Sequence, residues 1–307
     1  MKYFVTGGAG FIGSNFVDKL LENDCEVIAY DNLSTGQLKY LEKASLNKNF
    51  TFIKGDLLNK KKLNQTIKNS NFVIHLAANA DIRYGLNNPY RDLEQNTIAT
   101  FNLLEAMRNN KIKKIAFSST GSVYGECDII PTPENAPFPI QTSLYASSKL
   151  ACESLIQSYC EGYGFKSWIF RFVSILGKRY SHGHIYDFYK QLSNDKDILN
   201  VLGNGKQKKS YLHIDDCISG VLCGIEKSNE KVNIFNLGTD EFCEVNDSIS
   251  IITNFMNITP QLKYSGGERG WVGDNPMIYL DINRILEGDK AARTTMIKAN
   301  LRLVVKI

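Results

Sequence analysis

The chain has 307 residues, 43% apolar and 22% charged, a mixture that excludes a disordered or fibrous protein. Its 36 Lys and Arg residues nearly balance 32 Asp and Glu residues, and no basic run is long enough to predict a nucleic-acid groove. We find neither a run of about 18 apolar residues nor a signal-peptide pattern, so we expect a cytoplasmic protein without a membrane span. Seven cysteines without a C-x-x-C pair predict neither a disulfide framework nor a zinc site.

Short apolar runs alternate with amphipathic stretches along the first half of the chain, which predicts a doubly wound parallel sheet of the α/β class. The spacing of Ile12, Phe16 and Leu20 predicts the first helix, and Leu93–Met107 predicts a helix that is apolar on more than one face. Four prolines predict a long surface loop over residues 126–143. Strands are predicted at Tyr3–Val5, Glu26–Tyr30, Phe50–Ile53, Phe72–Leu76, Lys114–Ser118, Trp168–Leu176, Tyr211–Ile214 and Val232–Leu237.

A glycine-rich turn, Thr6-Gly7-Gly8-Ala9-Gly10-Phe11-Ile12-Gly13, joins the first predicted strand to the first predicted helix. Glycines permit a tight turn and let a diphosphate approach the backbone, and the helix N-terminus offers N–H groups and a partial positive charge. The turn therefore predicts a dinucleotide site, although a glycine-rich turn without a ligand would have the same pattern.

Asp31 ends the second predicted strand, 18 residues after Gly13. A carboxylate at this place accepts hydrogen bonds from ribose hydroxyls and repels a 2′-phosphate. Because no Arg follows in Asn32–Gly36, the sequence favours NAD over NADP. The alternative is that Asp31 caps a helix beginning near Thr35.

Tyr145 and Lys149 stand four residues apart on a helix predicted to extend to Tyr163, so both side chains share one face. A neighbouring cation stabilises phenolate and lowers the pKa of a tyrosine toward the working range of a general base. The hydroxyl residues Ser118-Ser119-Thr120 end the fifth predicted strand, at the edge where ligands bind in such sheets. Together these residues indicate proton abstraction coupled to hydride transfer.

Seven blocks in this order resemble the extended short-chain dehydrogenase/reductase family, in its NAD-dependent nucleotide-sugar epimerase/dehydratase branch, which includes proteins like UDP-glucose 4-epimerase. The blocks are Thr6–Gly13, Asp31-Asn32-Leu33, Gly55-Asp56-Leu57, His75-Leu76-Ala77-Ala78, Ser118–Gly125, Tyr145–Lys149 and Arg171–Gly177. The resemblance implies a Rossmann-type NAD-binding domain at residues 1–170. It also implies a smaller α/β substrate-binding lobe at 171–307, interleaved with the first domain because some of its strands return to the main sheet.

The resemblance also implies roles for individual residues. Tyr145 would be the general base, Lys149 would hold the nicotinamide ribose and tune Tyr145, and Thr120 would bond the reacting sugar hydroxyl. Asp56 and Leu57 would contact adenine. The full predicted NAD set is Gly7, Gly10, Phe11, Ile12, Gly13, Asp31, Asn32, Ser34, Thr35, Gly36, Asp56, Leu57, Ala77, Ala78, Asn96, Ser118, Tyr145 and Lys149, and the predicted substrate set is Thr120, Ser122, Ser174, Lys209 and Arg269.

The residues after Thr120 separate the reactions of the family. The 4,6-dehydratases of the family carry Asp and Glu there, whereas this chain has Gly121 and Ser122, which cannot perform acid–base chemistry at neutral pH. The pattern therefore resembles the 4-epimerases and predicts inversion at C4 of a nucleotide-diphosphate sugar through a 4-keto intermediate. A C4 dehydrogenase or reductase with net redox stays open, and a 4,6-dehydratase or a non-catalytic dinucleotide sensor is less favoured.

Other features limit the prediction. Ser174 stands where relatives often have Asn, and Lys209 where Arg is expected, which leaves the base and the sugar open. His182 and His184 lack the accompanying carboxylate or cysteine pattern of a metal site, so no metal is predicted. The apolar excess on the two long helices predicts a homodimer. The polar sequence Glu287–Arg293 differs from that of relatives and predicts a loosely docked last helix.

Overall fold

The computed structural model describes residues 1–79, 83–138 and 140–287. The strands are β1 (Lys2–Thr6), β2 (Glu26–Asp31), β3 (Phe50–Lys54), β4 (Phe72–His75), β5 (Lys114–Thr120), β6 (Lys166–Phe172), β7 (Ser174–Leu176), β8 (Ile198–Val201), β9 (Lys208–Lys209), β10 (Tyr211–His213), β11 (Val232–Leu237), β12 (Cys243–Glu244), β13 (Gln261–Tyr264) and β14 (Met277–Ile278).

The α-helices are α1 (Phe11–Glu22), α2 (Glu42–Ser45), α3 (Lys60–Thr66), α4 (Tyr84–Asn87), α5 (Pro89–Asp92), α6 (Ala99–Asn109), α7 (Leu144–Tyr163), α8 (His184–Asn194), α9 (Ile214–Lys227), α10 (Val245–Met256) and α11 (Asn283–Glu287). Leu38–Leu41 and Gly121–Tyr124 form 3₁₀ turns, and Leu93–Ile98 is a π-helical stretch. Within the described residues, no helix is both long and apolar enough to cross a membrane.

Seven parallel strands form the central sheet, in the order β11-β6-β5-β4-β1-β2-β3. Successive residues of a strand face opposite sides, so Tyr3 and Val5 enter one apolar core while Phe4 enters the other. Helices α1 and α9 cover the first face, and α3, α6 and α7 cover the second. The predicted α/β, doubly wound parallel sheet is therefore confirmed, with the carboxyl ends of its strands at one edge.

Three local predictions need correction. Trp168–Leu176 was expected as one strand, but the chain breaks at Val173, whose N–H donates to the Leu237 carbonyl at 3.0 Å. After this break β7 leaves the sheet and pairs with β10. The helix expected near Thr35 begins only at Leu38, because the Gln37 N–H bonds back to the Ala9 carbonyl at 2.9 Å. The Leu93–Met107 helix opens with a π-helical stretch.

The later part of the chain adds three small sheets, β10-β7, β12-β9-β14 and β13-β8, and a third apolar core between α8 and α10. Strand β11 instead lies at the edge of the main sheet beside β6. The predicted loop at 126–143 contains neither helix nor strand in its described residues, and Thr132 forms a single bridge with Leu280. Pro139 and the segment 288–307, which includes most of the sequence expected to dock loosely, lie outside the described residues.

A buried histidine ties β1 to β4 beneath the strand ends. Thr6 Oγ1 accepts the N–H groups of Leu76 and Ala77, each at 3.2 Å, which occupies both of its lone pairs. Its own proton is therefore donated to His75 Nδ1 at 2.7 Å. The other ring nitrogen, Nε2, then donates to Thr100 Oγ1 at 2.9 Å. Burial lowers the pKa of His75 to about 3, and the nearby Lys149 ammonium acts in the same direction. The imidazole is therefore neutral in the folded protein at ordinary pH.

This neutral imidazole makes stability depend on pH. Below pH 6.5 the unfolded chain binds a proton that the folded His75 accepts only near pH 3, so the free energy of unfolding should fall through that window. The expected contribution of His75 is about 1.4 kcal/mol per pH unit. Urea unfolding of wild type and His75→Gln between pH 4 and 7 measures it, because glutamine keeps a donor and an acceptor but does not titrate. A stability difference that is constant over this range would contradict the prediction.

Candidate functional site

The glycine turn after β1 forms the centre of the sheet edge. Gly7 has a φ of +68°, and a Cβ there would lie 2.8 Å from the Ala77 nitrogen at the end of β4. A Cβ on Gly13 would lie 2.0 Å from the Gly7 carbonyl oxygen. Residues with side chains are therefore excluded, and the first turn of α1 lies directly against the turn. No described side chain caps this helix at Gly10, so the N–H groups of its first turn have no side-chain acceptor there.

A buried carboxylate ends the neighbouring strand β2. Asp31 is 8% exposed, and its two oxygens accept the N–H groups of Ala9 at 3.0 Å and Leu33 at 2.8 Å. Burial raises the pKa of Asp31, while these two hydrogen bonds act in the opposite direction. A Cβ on Gly36 would lie 2.7 Å from Asp31 Oδ1, so that glycine lets the loop fold over the carboxylate. Asp31 thus orders the glycine turn and its own loop rather than capping a helix near Thr35.

The other adenosine-side residues lie at the ends of β2 and β3. Asn32 Nδ2 donates to Asp56 Oδ2 at 2.9 Å, which joins the two strand ends. Leu57 is buried, whereas Ser34 and Thr35 are exposed on the loop that follows Asp31. The structure therefore brings together this part of the predicted set.

Asn96 connects the end of β4 to α7. It is 2% exposed; its Oδ1 accepts the Asn79 N–H and its Nδ2 donates to Ser148 Oγ, each at 2.8 Å. Ser148 Oγ in turn donates to the Tyr145 carbonyl at 2.7 Å. Asn79 Nδ2 also donates to the buried carboxylate of Asp92 at 2.8 Å. Sequence analysis missed Asn79 and Asp92, and the only signal available was the polar residue directly after Ala77-Ala78.

Tyr145 and Lys149 occupy the first two turns of α7, which begins at the N-cap Ser143. The Lys149 Nζ donates to the Ser118 carbonyl at 2.8 Å and lies 6.0 Å from the centroid of the Tyr145 ring. Burial lowers the pKa of Lys149 to about 8. Burial also raises the pKa of Tyr145, with the nearby Asp92 acting in the same direction. The direction at Tyr145 is opposite to the one expected from the sequence, because desolvation of the phenol is the largest effect.

Thr120 ends β5 beside these groups. Its Oγ1 accepts the Ser122 N–H at 3.1 Å and donates to Ser122 Oγ at 3.2 Å. Between them Gly121 packs against Ile278 and Leu280, where a Cβ would come within 3.1 and 3.2 Å of their side chains. The two positions after Thr120, Gly121 and Ser122, carry no carboxylate. The polar side-chain groups at this strand end are the hydroxyls of Thr120 and Ser122.

Lys209 and Arg269, the two cations predicted to bind phosphate, both contact Asp274. Lys209 Nζ donates to Asp274 Oδ1 and to the Asn275 carbonyl, each at 2.8 Å. Arg269 contacts the Asp274 carbonyl at 3.3 Å and forms an ion pair with Glu126 at 2.5 Å. Both cations therefore already have carboxylate partners, which sequence analysis did not predict. Ser174, the fifth substrate-side residue, is exposed at the start of β7.

The loop at 126–143 is held to the later part of the chain beside these cations. Thr142 Oγ1 donates to Asn275 Oδ1 at 2.9 Å, and Asn275 Nδ2 donates to the Gly125 carbonyl at 3.0 Å. A further hydrogen bond joins α8 to β10, between His184 Nε2 and the Tyr211 hydroxyl at 2.8 Å. The part of the chain that the structure describes contains no group of three or more His, Cys, Asp or Glu residues placed to hold a metal.

Comparison with known proteins places this arrangement in a family. The model of the NAD dependent epimerase/dehydratase family matches residues 3–238. A UDP-glucose 4-epimerase from Thermotoga maritima, solved with UDP-glucose, is 30% identical, and the match covers 94% of this chain and 92% of that chain with a TM-score of 0.85.

Two further relatives show the range of substrates. A UDP-glucuronic acid 4-epimerase from Bacillus cereus, solved with UDP-glucuronic acid and NAD, is 28% identical over 94% of this chain and 92% of its own, with a TM-score of 0.86. A CDP-paratose 2-epimerase from Salmonella typhi is 32% identical over 78% of this chain and 79% of its own. This chain belongs to the NAD-dependent epimerase/dehydratase family, with the Rossmann-type fold and the NAD cofactor of that family.

Proposed function

We propose that this protein is an NAD-dependent epimerase that inverts C4 of a nucleotide-diphosphate sugar through a transient 4-keto intermediate. The observation that carries the proposal is the Tyr145–Lys149 pair packed against the end of β5, followed there by Gly121 and Ser122 instead of carboxylates. Among the described residues, the two positions after Thr120 therefore offer no second acid–base pair beside Tyr145. The solved UDP-sugar 4-epimerases of the same fold support this choice.

The residues at the sheet edge fit NAD. Gly7, Gly10 and Gly13 would receive the diphosphate, because any Cβ at Gly7 or Gly13 would collide with neighbouring backbone and the first N–H groups of α1 carry partial positive charge. Asp31 would accept the hydroxyls of the adenosine ribose with the lone pairs that Ala9 and Leu33 leave available. Asn32, Asp56 and Leu57 would surround adenine, with Ser34, Thr35 and Gly36 on the loop that follows Asp31. Phe11, Ile12, Ala77, Ala78, Asn96 and Ser118 would complete the predicted set.

Bound NAD supplies the acceptor and later the donor for the hydride at C4. In the proposed reaction Tyr145 removes the proton from the C4 hydroxyl. After the keto sugar has rotated to present its opposite face, Tyr145 returns the proton to the C4 oxygen. Burial raises the pKa of Tyr145, and two positive charges would oppose this, namely the Lys149 ammonium and the oxidised nicotinamide ring. Thr120 and Ser122 would hold the reacting sugar hydroxyl in reach of Tyr145.

Lys209, Arg269 and Ser174 would bind the nucleotide diphosphate. A diphosphate would compete with Asp274 for Lys209 and with Glu126 for Arg269, so its binding requires these ion pairs to rearrange. Lysine offers a point charge in place of the bidentate fork of arginine. We expect, for this reason, a weaker directional preference for the phosphate oxygens at Lys209.

A glycine variant tests the cofactor site. Gly13→Ala should weaken NAD binding by about tenfold or more, because its Cβ would lie 2.0 Å from the Gly7 carbonyl oxygen. Gly162→Ala is the matched control, since a Cβ there meets nothing within 4 Å. The NAD content of each purified protein and its affinity by fluorescence titration give the answer. Wild-type affinity in Gly13→Ala would show that the diphosphate does not bind at this turn.

The reaction is tested with a panel of UDP-, dTDP-, GDP- and CDP-sugars without added cofactor, using NMR to detect inversion at C4. Tyr145→Phe should lower turnover by roughly 10²–10⁴-fold while the protein keeps its NAD. If turnover appears only when NAD or NADH is added and the cofactor is consumed stoichiometrically, the protein is instead a C4 dehydrogenase or reductase. Loss of water from the sugar would identify a dehydratase, and NAD binding without turnover of any sugar would identify a sensor.

We also propose that the protein is a homodimer through the Leu93–Asn109 segment and α7. Leu93 and Phe101 are large apolar residues on this segment, 48% and 41% exposed. Leu93→Asp with Phe101→Asp should shift sedimentation at micromolar concentration from dimer to monomer, because negative charges without a counter-charge would be buried in the interface. Phe255→Asp, which changes a 74% exposed phenylalanine on α10, is the control. A wild-type protein that sediments as a monomer would contradict the proposed homodimer. The cytoplasmic location is a separate prediction.

A further inference from the structure

A buried ion pair lies directly behind the end of β5. Glu153 on α7 is 0% exposed and Arg171 on β6 is 2% exposed. The guanidinium donates to both carboxylate oxygens, from Nη2 to Oε2 at 2.7 Å and from Nε to Oε1 at 3.1 Å. The hydroxyl of Ser119, the residue before Thr120 on β5, also donates to Glu153 Oε1. One carboxylate thus joins a helix to two adjacent strands.

The remaining donors of Arg171 hold the surrounding loops. Its Nη1 donates to the Tyr124 hydroxyl at 2.6 Å and to the Glu134 carbonyl at 3.0 Å. Tyr124 donates in turn to Asn236 Oδ1 on β11 at 2.8 Å. The ion pair is therefore anchored on the side away from α7, so Glu153 cannot shift without breaking several bonds to buried groups.

Glu153 shares a helical face with the proposed catalytic pair. Tyr145, Lys149 and Glu153 follow at intervals of four residues, which places them in line along α7. Lys149 bonds the carbonyl of Ser118, and Glu153 bonds the hydroxyl of Ser119. These two contacts are one helical turn apart on α7 and reach consecutive residues of β5. Together they fix the rotation and the axial position of the helix against that strand.

Charge adds to this geometry. Lys149 is faced by Tyr145, Cys152 and Glu153 from its own helix and by His75 from β4, while Asp92 faces Tyr145. Burial lowers the pKa of Lys149 to about 8, and the Glu153 carboxylate acts in the opposite direction. Glu153 thus favours the charged form of Lys149 in a position where burial disfavours it.

We propose that Glu153, held by Arg171 and Ser119, is a positioning residue that sets the placement of Lys149 and Tyr145 against β5. Its effect on turnover rests on the proposed function, in which these two residues act on the cofactor and the sugar. In this scheme Glu153 touches neither the cofactor nor the sugar, and it acts through the position of α7.

Ser119→Ala is the principal test, because it removes one bond of the carboxylate and leaves the ion pair with Arg171 in place. We expect kcat for the sugar nucleotide to fall about tenfold with less than about a twofold change in KM, since misplacement affects the reacting geometry more than binding. Ser167→Ala is the matched control. Ser167 is 0% exposed and lies near the N-terminal end of β6, whereas Arg171 lies near the C-terminal end, so this variant should leave kcat unchanged. Glu153→Asp should recover part of any activity that Glu153→Gln loses.

A second readout does not need turnover. Lysine-selective ¹⁵N NMR of the NAD-loaded protein, assigned with Lys149→Arg, follows the titration of Lys149. Glu153→Gln should move that titration down by about one pH unit. Wild-type kinetics in Ser119→Ala, or equal losses in Ser119→Ala and Ser167→Ala, would overturn the proposal. If wild type turns over no sugar nucleotide, the proposed function fails, and an unchanged Lys149 titration in Glu153→Gln would then overturn the positioning role as well.

Discussion

The bond between the buried Lys149 ammonium and the Ser118 carbonyl holds together the helix and the strand on which the site depends. A buried cation is costly unless polar groups replace its water, and here the carbonyl at 2.8 Å and the face of Phe117 at 4.7 Å do so. Because Tyr145 is on the same rigid helix, the position of the phenol follows from that of the ammonium. The edge of the sheet then supplies the other groups, since parallel strands end side by side.

The fold could be predicted because its signals are local. The alternation of apolar residues in the strands and the glycines of Thr6–Gly13 each report on a few consecutive residues. The break at Val173 could not be predicted in this way, because it depends on a bond to Leu237 more than 60 residues later. The late start of the helix at Leu38 has a similar cause, namely the bond from Gln37 back to Ala9.

In the candidate site, too, the features that could be predicted depend on nearby residues, and those that could not depend on distant ones. Tyr145 and Lys149 were visible because their spacing of four residues is a property of one helix. Asp274 was not, because nothing in the sequence around Lys209 indicates that its partner comes 65 residues later. The raised pKa of Tyr145 was missed for the same reason, since burial is decided by the packing of the whole chain. Spacing therefore identifies which groups can act, and packing decides their charge and their partners.

Strand β11 connects the later part of the chain to the main sheet through its parallel pairing with β6. A protein cut after β6, which ends at Phe172, would leave the edge of β6 without its partner, and the exposed N–H and C=O groups would be a template for aggregation. The parts of the chain before and after β6 consequently cannot be exchanged as independent modules between relatives. We expect the two parts to unfold together in one cooperative transition, because they share one sheet.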